Sequence, residues 1–192
     1  SGEFQLEPNA LHIWPRGKFM LIALPNMDRS FTVTLFLPNT GDISFSTVRS
    51  LDDLNSLFEK NFPDILKLMP SLQTDYFSNP TGKLGTVRCS QWNVNESVLI
   101  GDAAHAVVPF FGQGMNASFE DCTVLNQMID SSVGWKDLFE SFSIKRKIDG
   151  DAIADMALEN YIEMRDSVNK DRFLNQKDLE RQLEIKYPDQ FI

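Results

Sequence analysis

The fold of this chain is decided by the stretch V-L-I-G-D-A-A-H-A-V-V-P-F-F-G-Q-G-M-N-A, which runs from Val98 to Ala117. The pattern predicts a buried strand that ends in Gly-Asp, a short loop with one proline, and a glycine-flanked turn that opens a helix. The first N–H groups of such a helix have no intrahelical partner, and the helix dipole makes them attractive to negative charge. Because glycine has no Cβ, a flat ligand can approach this backbone closely. With an Asp able to accept hydrogen bonds from hydroxyls, the stretch indicates a polyhydroxylated, anion-bearing cofactor.

The acidic composition of the 192-residue chain argues against two classes of partner. It has 18 Lys and Arg against 27 Asp and Glu, a formal net charge of −9. Nucleic acid requires a basic surface, so we expect no nucleic-acid partner. The same charge disfavours an electrostatic grip on anionic membrane. No run reaches the roughly 18 apolar residues of a membrane-spanning helix, and we expect a soluble, cytosol-facing polypeptide.

The histidines and cysteines do not predict a catalytic or metal site. His12 and His105 have no carboxylate or serine partner at a recognisable spacing, so we expect packed or hydrogen-bonded side chains rather than general bases. Cys89 and Cys122 lack metal-ligand spacing and are expected to be reduced thiols. We therefore predict no metal ion.

The order of the elements predicts an α+β fold. Apolar runs over residues 19–24 and 31–37 predict a hairpin, and because both faces of its strands are largely apolar, we expect it to be covered on both sides. Strand patterns also occur at 4–7, 83–92 and 98–100. Helical patterns cover residues 51–62, 65–69, 116–130, 137–147, 151–168 and 171–186. In the pattern at 116–130, one apolar stripe is formed by Phe119, Cys122, Leu125 and Ile129. Strands that come first and helices that come last are typical of α+β proteins.

The segment Gly112–Ala117 also fits G-x-G-x-x-A, the fingerprint of a dinucleotide-binding βαβ unit. Its surroundings argue against that interpretation. Pro109 interrupts the preceding strand, and no strand ending in an acid follows about 20 residues later. An anion site at the start of a helix remains the better interpretation. Asp102 itself leaves two alternatives open, a turn or helix-capping residue and a cofactor ligand.

Asn160 is a polar residue in the middle of an apolar helical stripe. The stripe consists of Ile153, Met156, Ala157, Tyr161, Met164 and Val168. A buried amide without a partner costs about 1–3 kcal/mol, so this side chain needs one. A bound ligand and a backbone or water contact are both possible partners, and the pattern alone does not choose between them.

Several blocks of the chain resemble a known family. G-D-A-A-H at 101–105 with the glycine turn at 112–116 resembles the second flavin motif of the class A, single-component aromatic hydroxylases of the p-hydroxybenzoate hydroxylase type. L-H-I-W-P-R at 11–16, F-M-L-I-A-L-P-N at 19–26, P-F-F-G-Q-G-M-N at 109–116 and N-Y-I-E-M-R at 160–165 are similar, in order and spacing, to the kynurenine 3-monooxygenase family. The first motif specifies only the superfamily, whereas the blocks at 11–16 and 160–165 are more specific.

The resemblance implies an activity and a cofactor site. In this family NADPH reduces FAD, the reduced flavin takes O2, and a flavin hydroperoxide hydroxylates L-kynurenine at the 3-position without a catalytic acid or base. Asp102 would hold the ribityl or phosphate-side hydroxyls of FAD, and the turn at 112–116 would lie against the isoalloxazine. The cofactor-binding residues would be Gly101, Asp102, Ala103, Gly112, Gln113, Gly114, Met115 and Asn116.

The resemblance also implies a substrate site with three groups of residues. An apolar roof over the aromatic ring would consist of Leu11, Met20, Leu24 and Phe36. A floor beside the flavin would consist of Pro109, Phe110 and Gln113, and a helical wall of Asn160 and Met164. On this reading Asn160 gains a partner in the polar part of kynurenine.

The resemblance divides the chain by role into a substrate-domain sheet with short helices (1–96), the second FAD motif (97–130) and pocket-lining helices (131–192). The family's G-x-G-x-x-G βαβ unit for the ADP half of FAD has no counterpart here. We therefore expect that residues 1–192 act with the N-terminal half of the same enzyme and are inactive alone. The family further implies a mitochondrial outer membrane location facing the cytosol, through a C-terminal anchor outside these residues.

Two rival functions remain. One is a class A flavoprotein acting on another aromatic or alkene substrate, and the other is a non-catalytic module that binds a small ligand.

Overall fold

A computed structural model describes residues 3–129, 134–167, 171–188 and 190. The chain splits into two compact units. Unit 1 comprises Ser1–Thr81 and Glu163–Ile192, and unit 2 comprises Gly82–Ile162. These boundaries group the chain by packing, and the division by role into 1–96, 97–130 and 131–192 stays a prediction.

Unit 1 contains a three-stranded antiparallel sheet. Its strands are β1 (His12–Pro15), β2 (Met20–Pro25) and β3 (Phe31–Phe36), in the order β1-β2-β3. The predicted hairpin is confirmed, with Met20 paired to Phe36. The central strand β2 is buried on both faces from Met20 to Ala23. The edge strand β3 has no fully buried residue, since threonines alternate along its outer face, so the expectation of two covered faces is wrong for β3.

The first residues of unit 1 differ from the expected strand at 4–7. Residues 3–10 form bends and turns, and the first strand begins at His12. The side chain of Glu7 turns back to accept from the Asn9 amide at 3.1 Å, which is a local turn rather than a ladder bond. Alternation over four residues is too short a signal when a neighbouring side chain satisfies the backbone.

Three helices complete the first part of unit 1: α1 (Leu51–Asn61), α2 (Pro63–Leu66) and α3 (Leu72–Ser78). Ser50 and Asp53 form a reciprocal capping box at the start of α1. The core of the unit packs β2 against α1 and α2. It consists of Phe19, Leu21, Val48, Leu54, Leu57, Phe58, Phe62, Ile65 and Leu72. A π-helical turn (Glu163–Ser167) and α7 (Asp171–Lys186) form the second part, and the predicted helix at 171–186 is confirmed.

Unit 2 begins with a small hairpin and continues with helices. Strands β4 (Asn93–Val94) and β5 (Ser97–Val98) pair, followed by α4 (Asp102–His105) and a 3₁₀ turn (Pro109–Phe111). Helices α5 (Gly114–Ile129) and α6 (Trp135–Ile162) follow. The core of the unit consists of Trp92, Ala104, Val124 and Phe142. The predicted α+β fold class is confirmed.

Two strand predictions in unit 2 need correction. Residues 83–92, all of them described, form no strand; their backbone is held by isolated bonds, from Val87 N–H to the Ala106 carbonyl at 2.8 Å and from Leu99 N–H to the Trp92 carbonyl at 2.7 Å. The strand expected at 98–100 is limited to β5, and Leu99 and Ile100 are exposed rather than buried. Apolar composition favoured strands here, but the pairing partners that a strand needs are not supplied within the described part of this unit.

Two helix predictions also need correction. The helices expected at 137–147 and 151–168 are not separate: Trp135–Ile162 is one continuous helix, α6, with Gly150 in its interior beside Trp92, and Glu163–Ser167 forms the π-helical turn. In α5 the buried face is not the expected stripe Phe119, Cys122, Leu125 and Ile129. Its buried residues are Ala117, Asp121 and Val124, since Asp121 is bound in a polar network. Asp130, the expected end of α5, lies outside the described residues.

Among the described residues, no helix combines the length and the apolar character that a bilayer crossing requires.

Candidate functional site

A cleft with a volume of about 520 Å³ lies at the start of α5 in unit 2. This size is within the range of small-molecule and cofactor sites, about 300–1,000 Å³. The cleft is lined by Asp102, Val107, Pro109, Gly112, Gly114, Met115, Ser118 and Phe119. It therefore brings together the Gly-Asp turn and the glycine turn, the two features that the sequence singled out.

The glycine turn presents bare backbone to the cleft. Gly112 has a φ of +67°, in the left-handed region that favours glycine, and its N–H donates to the Pro109 carbonyl at 3.1 Å. A Cβ built on Gly112 would meet no atom of the chain within 4 Å. The backbone at this point thus faces open space, which a flat ligand can occupy.

The first turn of α5 forms the electropositive side of the cleft. The Ala117 N–H donates to the Gln113 carbonyl at 2.9 Å, and the Asn116 side chain donates to the Gln113 side chain at 2.9 Å. The amides of residues 114–116 belong to the first helical turn, where N–H groups have no intrahelical acceptor. Together with the helix dipole they attract negative charge.

The Gly-Asp turn forms a second polar side of the cleft. Gly101 has a φ of +57°, and its carbonyl accepts from the amides of Ala104 and His105 at 2.9 and 3.0 Å. A Cβ on Gly101 would lie 3.1 Å from Ser118 Oγ, so this position requires glycine. Gly101, not Asp102, is the capping residue of α4. Asp102 is exposed at the first position of α4, and its carboxylate is available to the cleft.

A buried polar network lies directly behind the Gly-Asp turn. Asp121 is fully buried, at 0% exposure, and one of its oxygens, Oδ2, accepts from Gly101 N–H at 2.9 Å and lies 2.6 Å from His105 Nε2. Its other oxygen, Oδ1, accepts from Arg146 Nε at 2.8 Å. Burial raises the pKa of Asp121, but the hydrogen bonds from His105, Arg146 and the Gly101 amide outweigh burial and hold it below its ordinary value.

Arg146 connects this network to two further carboxylates. It is only 2% exposed and donates to Asp149 at 2.9 Å, while its Nη2 lies 3.0 Å from Glu120 and 3.4 Å from the Ala117 carbonyl. Arg146 is on α6, so its guanidinium joins α6 to the first half of α5. The charge of the buried arginine is fully compensated, as a buried cation requires.

The sequence did not reveal Asp121 or Arg146. His105 was expected to be packed or hydrogen-bonded, and this is confirmed by its bond to Asp121 and its stacking on Trp92, with ring centroids 4.8 Å apart. The His105 and Arg146 contacts of Asp121 cross 16 and 25 residues, so no short spacing pattern reveals them. The sequence does contain one signal for Asp121: this acidic residue lies on the same face of α5 as Ala117 and Val124.

Asn160 lies at the end of α6, next to the 3₁₀ turn. Its side-chain amide donates to the Phe110 carbonyl, and Tyr161 stacks on the Phe110 ring with centroids 4.5 Å apart. The amide thus has a backbone partner, and its role toward a substrate stays a prediction. Of the expected stripe, Ala157 and Met164 are buried, Met156 is exposed, and Val168 lies outside the described residues.

The remaining residues predicted to contact a substrate lie in unit 1. Met20 pairs with Phe36, and Leu24 lies on the same face of β2 as Met20, so the register places these three on one face of the sheet. Leu11 directly precedes β1, whose first residue, His12, pairs with Ala23. Leu11 and Leu24 are 48% and 50% exposed, whereas Met20 is fully buried. Met164 is buried in the π-helical turn. Their substrate roles stay predictions.

In the part of the chain that the structure describes, no group of three or more His, Cys, Asp or Glu side chains is arranged to hold a metal ion. Asp121 and Asp149 are both engaged by Arg146. The polar chemistry of this unit is therefore organised around hydrogen bonds and an arginine.

Comparisons with known proteins match the part of the chain that forms the cleft. A family model described as an FAD binding domain matches residues 69–157, which include the whole cleft. The chain is 50% identical over all 192 residues to kynurenine 3-monooxygenase from Myxococcus xanthus (strain DK1622), of which it covers 41%. It is also 50% identical over 192 residues to kynurenine 3-monooxygenase from Xanthomonas oryzae pv. oryzae (strain PXO99A), of which it covers 42%.

A solved structure of a salicylate hydroxylase substrate complex shares the fold, with a TM-score of 0.60 at 14% identity over 94% of this chain and 47% of that one. The chain spans about two fifths of the length of the curated relatives. Both relatives are bacterial, so they do not support the mitochondrial location that the resemblance implied. The resemblance indicated by the motifs is confirmed: along its whole length the chain is similar to one segment of the kynurenine 3-monooxygenases, and it includes a match to an FAD-binding domain.

Proposed function

We propose a function for a protein that contains this chain and is as long as its relatives. Such a protein binds FAD and uses NADPH and O2 to hydroxylate L-kynurenine at the 3-position. The observation that carries the proposal is the cleft at the start of α5, where Asp102 and the bare backbone of Gly112 and Gly114 meet. Identity of 50% over the whole chain to two kynurenine 3-monooxygenases supports the choice of substrate.

The residues of the cleft fit a flavin. Asp102 offers an exposed carboxylate to the ribityl or phosphate-side hydroxyls, and Gly101 and Ala103 flank it. The turn from Gly112 to Asn116, which includes Gln113, Gly114 and Met115, offers a flat backbone surface and first-turn amides. An isoalloxazine carries negative charge when it is reduced, and helix N-terminal amides stabilise such charge.

When FAD is bound, it supplies the electron transfer and the activation of O2 for the hydroxylation. The chain supplies placement, electrostatics and exclusion of water. Pro109 and Phe110 lie on the 3₁₀ turn that leads into the glycine turn, and we propose that their apolar side chains reduce the access of water to a bound flavin. We assign no catalytic acid or base to the chain.

The substrate contacts are proposed from the resemblance and are assigned in each unit separately. In unit 2 they are Pro109, Phe110, Gln113 and Asn160. In unit 1 they are Leu11, Met20, Leu24, Phe36 and Met164. The exposed apolar surface of Leu11 and Leu24 is suited to an aromatic ring, and Met20 packs on the same face of the sheet.

The activity is tested with the purified full-length protein. We expect a yellow preparation with flavin absorbance, NADPH oxidation that depends on kynurenine, and a product heavier than kynurenine by one oxygen atom. Faster turnover with a different aromatic or alkene compound would favour the rival monooxygenase. A colourless protein that binds kynurenine without oxidising NADPH would favour a non-catalytic module.

The placement of the flavin is tested by Gly112→Ala, with Gly17→Ala as the matched control. Both glycines have positive φ, +67° and +77°, and neither Cβ would meet an atom of the chain within 4 Å. Both substitutions therefore introduce similar backbone strain, of order 1–2 kcal/mol. We expect only Gly112→Ala to raise the dissociation constant of FAD, by about tenfold or more, because only its Cβ projects beside the cofactor. Equal FAD affinity in the two variants would remove the 112–116 turn from the flavin site.

A further inference from the structure

Asp121 connects the two polar sides of the cleft. It lies on α5, whose first turn forms one side, and its Oδ2 accepts from the amide of Gly101, which begins the other side. The same oxygen lies 2.6 Å from His105 Nε2 at the end of α4, and Oδ1 accepts from Arg146 on α6. One carboxylate therefore fixes the Gly-Asp turn relative to α5.

Stability alone does not account for a carboxylate at this place. Asp121 has no exposed surface, and a charge taken out of water costs several kcal/mol that its partners must offset. Buried ion pairs are often replaceable by apolar side chains without loss of stability. Neighbouring positions on the same face, Ala117 and Val124, are apolar and pack without such a cost. What an apolar residue cannot supply is a directional acceptor for the Gly101 amide.

The Gly101 peptide is the element that this acceptor controls. Its φ is +57°, a conformation with few local restraints in glycine, and its carbonyl is bound by the amides of Ala104 and His105. With the amide held by Asp121 as well, both polar groups of the residue before Asp102 are fixed. The direction in which the Asp102 carboxylate enters the cleft follows from this peptide.

We infer that Asp121 is a positioning residue for the cofactor: through the Gly101 amide it aims Asp102 into the cleft, and Arg146 holds the Asp121 carboxylate in the orientation that this requires. The inference rests on the proposed FAD site. It assigns no contact between Asp121 and the cofactor.

The test uses the full-length protein, stripped of flavin and titrated with FAD. Asp121→Asn is expected to raise the FAD dissociation constant about tenfold or more, with the far-UV circular dichroism of the apoprotein unchanged.

Asp149→Asn is the matched control, because it also removes a carboxylate from Arg146 but has no contact with Gly101 or His105. We expect its FAD affinity to stay within about twofold of the wild type. If Asp121→Asn does not fold, Arg146→Lys is tested in its place, because lysine keeps the positive charge but lacks the forked guanidinium. The FAD dissociation constant of Arg146→Lys is expected to increase several-fold.

A double-mutant cycle separates positioning from a merely structural role. If Asp121 acts through Asp102, the FAD affinity loss in Asp102→Ala/Asp121→Asn falls short of the product of the two single losses. Independent, multiplicative losses would overturn the inference, as would a lowered melting temperature of the Asp121→Asn apoprotein with wild-type FAD affinity. These outcomes differ from a failure of the proposed function, in which the wild-type protein itself would not bind FAD.

Discussion

At the scale of single residues, the chemistry of this chain is concentrated in carboxylates with different surroundings. Asp102 is exposed at the cleft, where it can accept hydrogen bonds from a ligand. Asp121 is buried and already receives hydrogen bonds from three groups. The first is suited to binding and the second to fixing the backbone. The sequence singles out Asp102, at the end of the Gly-Asp motif, but not Asp121.

The pKa of Asp121 predicts a pH dependence of stability. Burial raises this pKa, but the bonds from His105, Arg146 and the Gly101 amide together lower it by more, so the folded-state pKa lies below the unfolded value of about 3.9. Such a group contributes stability above the unfolded value and loses it as the pH falls through the folded-state pKa. Glu120 and Asp149 also face Arg146, at 3.0 and 2.9 Å.

We therefore expect the free energy of unfolding to fall as the pH is lowered below about 4. In Asp121→Asn this component is missing, so the gap between wild type and variant narrows with acidification. Urea denaturation at a series of pH values measures both curves. Parallel curves for the two proteins would show that Asp121 does not titrate with a lowered pKa.

The side-chain amide of Asn160 gives a second prediction at this scale. In the full-length protein, Asn160→Ala is expected to weaken kynurenine binding by about 1–3 kcal/mol and to leave the FAD content intact. The reason is the loss of a polar partner for the substrate. Equilibrium binding of kynurenine and the flavin-to-protein absorbance ratio measure the two effects. Since the amide also donates to the Phe110 carbonyl, a loss of FAD with unchanged kynurenine affinity would assign Asn160 to the 3₁₀ turn instead.

At the scale of the elements, α6 shows how one long-range contact overrides a local signal. Gly150 lies in the interior of this helix, where glycine costs about 1 kcal/mol relative to alanine. A Cβ there would lie 2.9 Å from Trp92 Cη2 and 3.3 Å from His105 Cβ. Trp92 is buried and stacked on His105, so the ring has little room to move.

Gly150→Ala is therefore expected to destabilise the protein despite the gain in helix propensity. Overpacking typically costs about 1–3 kcal/mol, which exceeds the propensity gain of about 1 kcal/mol. Ser141→Ala, at an exposed position of the same helix, is the control and should change the unfolding free energy by no more than about 0.5 kcal/mol. Chemical denaturation of both variants measures the difference, and a stabilised Gly150→Ala would mean that Trp92 yields at little cost.

The elements that could be predicted from the sequence are those whose ends carry local signals. Apolar residues at helical spacing with Asp52 and Asp53 at the start predict α1, and the charged segment from Asp171 to Lys186 matches α7. Helix α3 was missed because seven residues give too few turns for a periodic pattern. The strand expected at 83–92 failed because strand formation depends on a partner that composition does not reveal.

The same distinction applies to the candidate site. The glycine turn and the Gly-Asp turn were predictable, since left-handed backbone at Gly101 and Gly112 is a local property of glycine. The network behind them was not, because Asp121 and Arg146 meet only through the packing of α5 against α6. For that reason the sequence pattern favours Phe119 and Ile129 as the buried face of α5: periodicity reports apolar side chains but not the polar partners that bury Asp121.

At the scale of the whole molecule, a net charge of −9 would by itself repel a phosphate-bearing cofactor. The cleft offers two local features that would offset this repulsion: the first-turn amides of α5, which have no intrahelical acceptor, and a glycine turn without side-chain bulk. We therefore expect the affinity for such a ligand to depend on a few oriented groups and to fall when one of them is removed.

This dependence leads to a prediction about the 192-residue polypeptide by itself. It contains the groups proposed for the flavin ring and ribityl chain, but no G-x-G-x-x-G βαβ unit, which the resemblance assigns to the ADP half of FAD. It also spans only about two fifths of its relatives. When binding depends on two groups of contacts, the affinity falls steeply if one group is removed, since each 1.4 kcal/mol changes affinity tenfold.

We expect the isolated polypeptide, incubated with excess FAD and passed through gel filtration, to elute without flavin absorbance and to show no kynurenine-dependent NADPH oxidation. The full-length protein treated in the same way is the control and should elute yellow. Stoichiometric flavin in the peak of the 192-residue chain would contradict the prediction and would place the main FAD contacts within the cleft at α5.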